Sequence, residues 1–355
     1  MIDWTAGMKQ WYEYWEVSPV SWADIRMLDN VSGGSIMRNT SNVSLGSASF
    51  KMTDFIGEMY IRTYLCVEQN HESQKVCLGT HLVQSPNTAF NGKVSTVNAT
   101  AYTPLIELKE NYPPIFYTIP KGTEIISWIY NSVTNNSRIR VERNTEWEVY
   151  SKYDYVANTD DTWLDFIVSV MRQNNISYGI TPEGVFYIYE AFKYDRCPST
   201  YFFTTDDKSI ILPNVSYTQD IYNIPNVVEV YTSNAKGYNC VRIINDGPNA
   251  TSVTARGREI VYRETSPSIL GIPSDEEITI YATKLLESLS TIKVELSFEH
   301  AYVPEVNIGD TITIDYPEAG IFGQKALVLD QQLDCSQGLI VSTTASFERQ
   351  YWTRE

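Results

Sequence analysis

The chain has 355 residues, 43% of them hydrophobic and 20% charged, with a formal net charge of −16 at pH 7. That length exceeds one ordinary core and favours two or three domains, and the balance of residue types excludes a disordered chain. The acidic surplus excludes a surface built to grip nucleic acid or anionic lipid, which needs clustered Lys and Arg, but not a wall that nucleic acid slides past without sticking.

The 25 Tyr and 8 Trp are many. Such rings bury much area while keeping one polar tip wet, which suits both β-sheet faces and protein interfaces. Five Cys, at Cys66, Cys77, Cys197, Cys240 and Cys335, form no C-x-x-C pair and no metal-ligand spacing, so reduced thiols from cytosolic synthesis are expected. The three His (His71, His81, His300) are too scattered for a zinc site or a triad; a metal shared by His71 and His81 across a hairpin is a minor alternative. The opening "MIDWTAGMKQW" has no basic n-region or apolar h-region, and no apolar run reaches membrane-spanning length, so neither export nor membrane anchoring is expected.

Residues 1–118 read as an all-β, barrel-like domain. Trp11, Tyr12, Tyr14, Trp15 and Trp22 form one aromatic cluster in sequence, either covering a barrel end or serving as an arm to a neighbouring subunit. In "GEMYIRTYLCVE", Met59, Ile61 and Tyr64 alternate with Glu58, Arg62 and Thr63, and the phase slips near Tyr64, which predicts a β-bulge. Turn clusters such as "NVSGGS" and "NYPP" separate the runs.

A mixed α+β insert spans 119–198. "GTEIISWIYNSV" predicts a short helix, with Thr123 as N-cap and Ile125, Ile126 and Ile129 as its apolar stripe. "TDDTWLDFIVSVMRQNN" predicts a helix over 160–173, capped by Thr159 or Asp160, with Trp163, Phe166, Ile167, Val170 and Met171 on one face. "ISYGITPEGVFYIYE" then alternates, turns at "TPEG", and alternates back as a hairpin over 176–190.

Residues 199–355 predict a second barrel-like β domain. Its best strands are "NVVEVYTS" and "CVRIIND", followed by a helix over 275–290. Ser274 and Glu277 form a capping box there, with Ile278, Tyr281, Leu285 and Leu289 as the buried stripe. "TIKVELSFEH" points Ile292, Val294, Leu296 and Phe298 inward. In "PEVNIGDTITID", Gly309-Asp310 reads more strongly as a corner before a strand beginning at Thr311, with Ile312 and Ile314 inward, than as a metal loop built on Asp310 and Asp315. The returning strand carries Ala326, Val328 and, after a slip, Leu329. The fold class is therefore α+β, predominantly β: two barrel-like β domains, a small helix-plus-hairpin insert, and a second helix before the C-terminal strands.

Catalytic motifs are absent: no G-x-S-x-G, H-E-x-x-H, P-loop, dinucleotide fingerprint or EF-hand loop. Asp160-Asp161 and Glu276-Glu277 sit at helix starts, where the dipole accounts for them, and Asp206-Asp207 sits in a polar turn. A non-enzyme without cofactor or metal is expected.

"YVPEVNIGDTITIDYPEAGIFGQKALVLDQQLD" resembles the closing barrel of phage tail hub proteins, entered through a P-x-x-x-x-G-D corner. The capped helix before such strands and the W-x-x-x-I-x-x-x-M helix leading into an I-x-Y-x-I-x-P-x-G hairpin fit the same family. The N-terminal "WYEYWEVSPVSWADIRMLDNVSGGSIMRNTSNVSLGSASFKMTD" is similar to the start of tail proteins from phages of Gram-positive bacteria. The family comprises baseplate hubs of contractile phages and the N-terminal hub domain of siphophage tail-associated proteins.

The resemblance implies a tail-tip or baseplate hub, a homotrimeric ring joining the tail tube to a spike or tip. It implies the tail tube or distal tail protein, the tape measure protein and the spike as partners, a virion location after synthesis in the host cytoplasm, and DNA that passes through without stable binding. The N-terminal aromatics Trp11, Tyr12, Tyr14, Trp15 and Trp22 are then the candidate subunit interface. Two other readings compete: a cell-wall-degrading glycosidase or peptidase of the tail, and a carbohydrate- or receptor-binding module in which Trp11, Trp15, Trp22 and Trp147 form a flat platform.

Overall fold

A computed structural model describes the chain except residues 1, 56, 91, 94, 144, 208, 235–236, 268–273, 337 and 355, and except the side chains at 233–234 and 237–238. Seven strands open it: β1 (Lys9–Val17), β2 (Asp24–Met27), β3 (Val31–Asn39), β4 (Gly46–Met52), β5 (Met59–Gln69), β6 (Glu72–Phe90) and β7 (Ser95–Tyr102). The insert follows with α1 (Ile106–Lys109), β8 (Thr118–Ile119), α2 (Ile125–Asn136), β9 (Arg140–Val141), β10 (Tyr155–Val156), α3 (Trp163–Gln173), β11 (Ile176–Ile180) and β12 (Val185–Glu190). Then come β13 (Tyr201–Phe203), β14 (Ile211–Thr218), β15 (Val227–Asn234), β16 (Gly237–Ile244), α4 (Val253–Arg256), β17 (Val261–Glu264) and α5 (Asp275–Leu289). The chain closes with β18 (Thr291–Ala301), β19 (Thr311–Tyr316), β20 (Ile321–Cys335) and β21 (Ile340–Gln350). The fold is α+β and predominantly β.

Two compact units emerge, one of residues 1–215 with 298–345, the other of 216–297 with 346–355. In the first, β4, β7, β6, β5, β1 and β2 lie in that order, and β3 joins β4 on one side and β20 on the other. The β20–β3 register, Asp330 opposite Asn39 through Cys335 opposite Gly34, thereby makes the N-terminal and C-terminal strands one continuous sheet. Apolar residues at every second position of these strands meet in one core that includes Ile36, Phe50, Met52, Ile61, Leu65 and Leu333. Each such side chain contributes roughly 1.5–3 kcal/mol on leaving water.

The insert carries its own core within this unit. Ile125, Ile126 and Ile129 of α2 meet Trp163, Phe166, Ile167, Val170 and Met171 of α3, and Phe186 and Ile188 of the β11–β12 hairpin close the layer. The predicted helices are present, with different caps. Glu124, not Thr123, caps α2, its two carboxylate oxygens accepting from the Ile126 and Ser127 amides at 2.9 and 2.6 Å. Thr123 sits one residue too early and donates its hydroxyl to the Pro120 carbonyl instead. For α3 the cap is Thr162, in a capping box with Asp165, rather than Thr159 or Asp160. The helix starts at Trp163 because Asp161 is spent on Asn158, whose backbone and side-chain N–H groups it accepts.

In the second unit, β15 pairs antiparallel with β16 and parallel with β17, and α5 lies on this sheet through Ile278, Ala282 and Leu286 against Val228 and Val230. The Ser274–Glu277 capping box is present as expected. The buried stripe is rotated by about one residue from the predicted one: Ile278, Ala282 and Leu286 are buried, and Tyr281, Leu285 and Leu289 are only partly covered.

Replacing Thr162 by Ala is expected to cost about 1 kcal/mol by orphaning the first-turn N–H of α3, read as a lower urea midpoint at unchanged slope. Thr159→Ala, outside the cap, is expected to shift the midpoint by less than half as much.

Candidate functional site

The phase slip read near Tyr64 is a bulge, and residues on its β6 side line a cavity of the first unit. β5 and β6 pair Thr63 with Gly79 and Tyr64 with Cys77, so Leu78 has no opposite number. Its carbonyl, released from the ladder, accepts from Arg38 Nη2 at 2.8 Å. The same guanidinium donates through Nη1 to Asn307 Oδ1 at 2.9 Å and Gln331 Oε1 at 3.1 Å. Gln331 in turn donates to the Val306 carbonyl at 3.1 Å. The 304–310 corner is therefore hung on one arginine of β3.

The corner has the predicted form. Gly309 holds φ at +85°, a region that costs a residue with a Cβ, and β19 begins at Thr311 with Ile312 and Ile314 buried. Asp310 closes the corner, its Oδ2 accepting from the Asn307 amide at 2.7 Å. Asp315 instead accepts from the Gly323 amide, so the two carboxylates serve separate turns. Thr311 is buried too, against the predicted outward face, because β13 and β20 flank it on both sides. Leu329 is only half-buried, with its carbonyl tied to Thr40.

A cavity of about 450 Å³ lies among this corner, the bulge of β6, β3 and the β11–β12 hairpin. Its polar lining includes Arg38, His81, Tyr187 and Tyr189 and two carboxylates, Glu142 and Asp310. His81 is buried, and its Nδ1 has no hydrogen-bond partner. A Cβ on Gly79 would stand 2.5 Å from the His81 ring, so only glycine leaves room for the imidazole there. Burial pushes the His81 imidazole down to about 3, with the Arg38 charge acting the same way, so the ring is neutral. Burial also raises the Asp310 carboxyl above its usual range.

Beneath the cavity, Arg62 and Thr63, predicted on an outer face, are buried. Arg62 donates to Asp24 Oδ1 at 2.8 Å, Thr80 Oγ1 at 2.9 Å and the Glu183 carbonyl at 3.1 Å, which fastens the hairpin turn to β2 and β6. A charge inside this unit is tolerated because its donors meet acceptors on several elements.

The five N-terminal aromatics do not form one cluster. Strand alternation sends Trp11 and Trp15 outward and Tyr14 inward, where Tyr14 is buried edge-on against Phe50 at 6.0 Å. Tyr12 is half-buried and donates its hydroxyl to the Ser336 carbonyl at 2.8 Å. Trp15 bonds Glu13 through Nε1 at 2.9 Å and lies 4.4 Å from Lys75 Nζ. Trp22 is buried on Tyr60 at 5.0 Å, with Nε1 donating to the Arg138 carbonyl at 2.9 Å. Tyr14 and Trp22 are thus core residues of this unit, and Trp11 is the exposed ring of the five. Beside β1 the edge strand β2 exposes Ile25 and Met27, and the loop before it Val20. Sequence reading missed these three because isolated apolar residues in a turn-rich stretch carry no periodic signal.

Trp11, Trp15, Trp22 and Trp147 do not form one flat platform, since Trp22 is buried and Trp147 packs against the insert core. His71 lies at the β5–β6 turn and His81 ten residues into β6, roughly 30 Å along an extended strand. Among the described residues no three His, Cys, Asp or Glu side chains gather as a metal site would require, and no helix is long and apolar enough to cross a membrane. All five cysteines are free.

His300, whose two ring nitrogens reach Ala301 O at 2.8 Å and Thr343 Oγ1 at 2.9 Å, is also buried, and burial lowers it to about 4. Both folded values lie below the unfolded one, near 6.5, so the unfolded chain binds more protons as pH falls below that point. Stability is therefore expected to be full above about pH 6.5 and to decline toward pH 4.5 by roughly 1.4 kcal/mol per pH unit per histidine. Urea unfolding at stepped pH checks this, and His81→Leu should remove about half of the slope.

No protein-family model matches this chain, and no curated protein matches it. Solved structures do. The tail protein of Neisseria meningitidis MC58 aligns at a TM-score of 0.59 and 11% identity, over 95% of this chain and 97% of that one. The 43 kDa tail protein of prophage MuSo2 from Shewanella oneidensis aligns at 0.58 and 10%, over 95% and 98%. A chain of the PdpA–VgrG complex aligns at 0.54 and 9%, over 99% and 67%. Over nearly its whole length the chain therefore has the fold of these two tail proteins, which a chain of the PdpA–VgrG complex also shares.

Proposed function

We propose that this chain is a structural component of a phage tail: the central hub of a tail tip or baseplate, assembled as a homotrimeric ring. One observation carries the reading, the end-to-end likeness to two tail proteins, one of them from a prophage, over 97% and 98% of their chains. A ring of three copies joins the tail tube and the distal tail and tape measure proteins on one side to a spike or tip on the other, and lets DNA pass. One of the similar structures is a complex of VgrG with PdpA, which supports a bound partner for such a fold. The net charge of −16 suits a conduit that repels phosphate. The role is structural rather than enzymatic, and the site of action is the virion tail.

We read the chain as two barrel-like building blocks, 1–118 and 199–355, with the insert 119–198 between them. The subunit contact is assigned to the exposed apolar residues Trp11, Val20, Ile25 and Met27 with Trp15 at their edge, because β2 is an edge strand with one unpaired side. Asp at position 25 would place a charge on this contact and change nothing buried in the single chain.

Cryo-electron microscopy of particles carrying the chain is expected to place three copies at the distal end of the tail. Ile25→Asp should leave the unfolding midpoint of the isolated chain within about 0.5 kcal/mol of the parent while preventing incorporation into particles. Particles lacking the chain, or cell-wall turbidity lost on adding the purified protein alone, would overturn the hub reading.

A further inference from the structure

We propose that the outer face of the β8–β10 ribbon is a docking surface for a different tail protein, one that brings apolar side chains ringed by Lys and Arg. The inference rests on the tail reading above. Tyr155 pairs with Ile119 and Val156 with Thr118, and the Ala157 amide extends the ladder to the Tyr117 carbonyl at 3.0 Å. Ile119, Tyr155 and Ala157 turn inward and belong to the insert core. A ribbon buried on one face normally turns polar residues to water on the other. Here Val156 is exposed, and so are Tyr112, Ile115, Phe116, Tyr150 and Tyr153 on the segments that flank the two strands. Six large apolar or aromatic side chains around one small ribbon make a patch of the kind that marks an interaction site.

Phe116 supplies the second observation. The turn from Pro114 to Tyr117 is closed by the Tyr117 amide on the Pro114 carbonyl at 2.9 Å, and its third residue, Phe116, has a φ of +62°. That position favours Gly or Asn, and a bulky residue there is strained. The ring gains no compensating burial within this chain, being 77% exposed. A strained side chain that its own fold does not use is accounted for by a partner that does. Charge then selects the occupant. Residues 109–124 and 146–161, the two arms of the ribbon, hold seven carboxylates and three lysines. A second copy would bring a net charge of −16 to an acidic rim, which costs affinity, whereas Lys and Arg around an apolar centre complement it.

Hydroxyl-radical oxidation of intact particles, compared with the purified chain, tests the surface. Phe116 and Tyr153 are expected to lose reactivity severalfold in particles and to keep it in the purified chain at every concentration. Carbodiimide, which joins a carboxylate to an amine without a spacer, is expected to link Glu148, Asp154 or Asp160 to lysines of a different tail protein. Phe116→Asn suits the turn and removes the ring. It should hold or raise the urea midpoint and leave self-association unchanged, while incorporation into particles falls severalfold. Particles without the chain would overturn the tail reading and this inference together. Four results would each overturn this inference alone: particles that contain the chain with Phe116 and Tyr153 fully reactive, carbodiimide links only between copies of this chain or none, a lower midpoint for Phe116→Asn, or its incorporation at the parent level.

Discussion

The first unit depends on one arginine taking a carbonyl that its own sheet has given up. The bulge at Leu78 removes a residue from the β5–β6 ladder, and a buried carbonyl without a partner is costly. Arg38, from β3, supplies the missing donor and spends its other face on Asn307 and Gln331. One side chain therefore links the N-terminal strands to the C-terminal corner, beside the place where β3 and β20 already pair. Leu78 and Gly79 at the bulge also line the cavity. The structural device and the cavity therefore share residues.

Arg62 plays the complementary role one layer away. It lies on β5, and its donors reach β2, β6 and the turn of the β11–β12 hairpin. Trp22 adds a third tie, with its ring on Tyr60 and its indole N–H on the Arg138 carbonyl. A hydrophobic contact holds two surfaces together but does not fix their register. Directional bonds from buried guanidinium and indole groups do, which accounts for their position between sheet and insert. In a fold whose proposed task is to hold rings in register, stiffness between sheet and insert matters as much as total stability.

The apolar surface of β1 and β2 follows from the same strand geometry. Because successive side chains alternate, β1 cannot present all its rings to one partner: Tyr14 serves the core while Trp11 and Trp15 face outward. β2 is short, unpaired on one side and carries two exposed apolar residues, features that a monomeric protein normally suppresses. In the ring of copies proposed here, a neighbouring subunit would cover that surface.

The sequence by itself determined the elements whose signal is local. The Ser274–Glu277 box, the stripe of α3, the "TPEG" hairpin turn, the Gly309-Asp310 corner and the Tyr64 slip all depend on residues a few positions apart, where helix or strand periodicity and turn chemistry act directly. Even there the caps moved by one to three residues, since Thr123 and Glu124, or Asp160 and Thr162, compete for the same amides and the neighbouring contacts choose between them. Tertiary structure alone decided that Arg62 would be buried, that Trp22 would leave its neighbours for Tyr60, and that Arg38 would meet Leu78, Asn307 and Gln331. Those partners are 40 to 293 residues apart in the chain, and no spacing rule reaches that far. Polar residues are read from sequence as solvated, and only a folded chain can bring enough acceptors together to make burying one of them favourable.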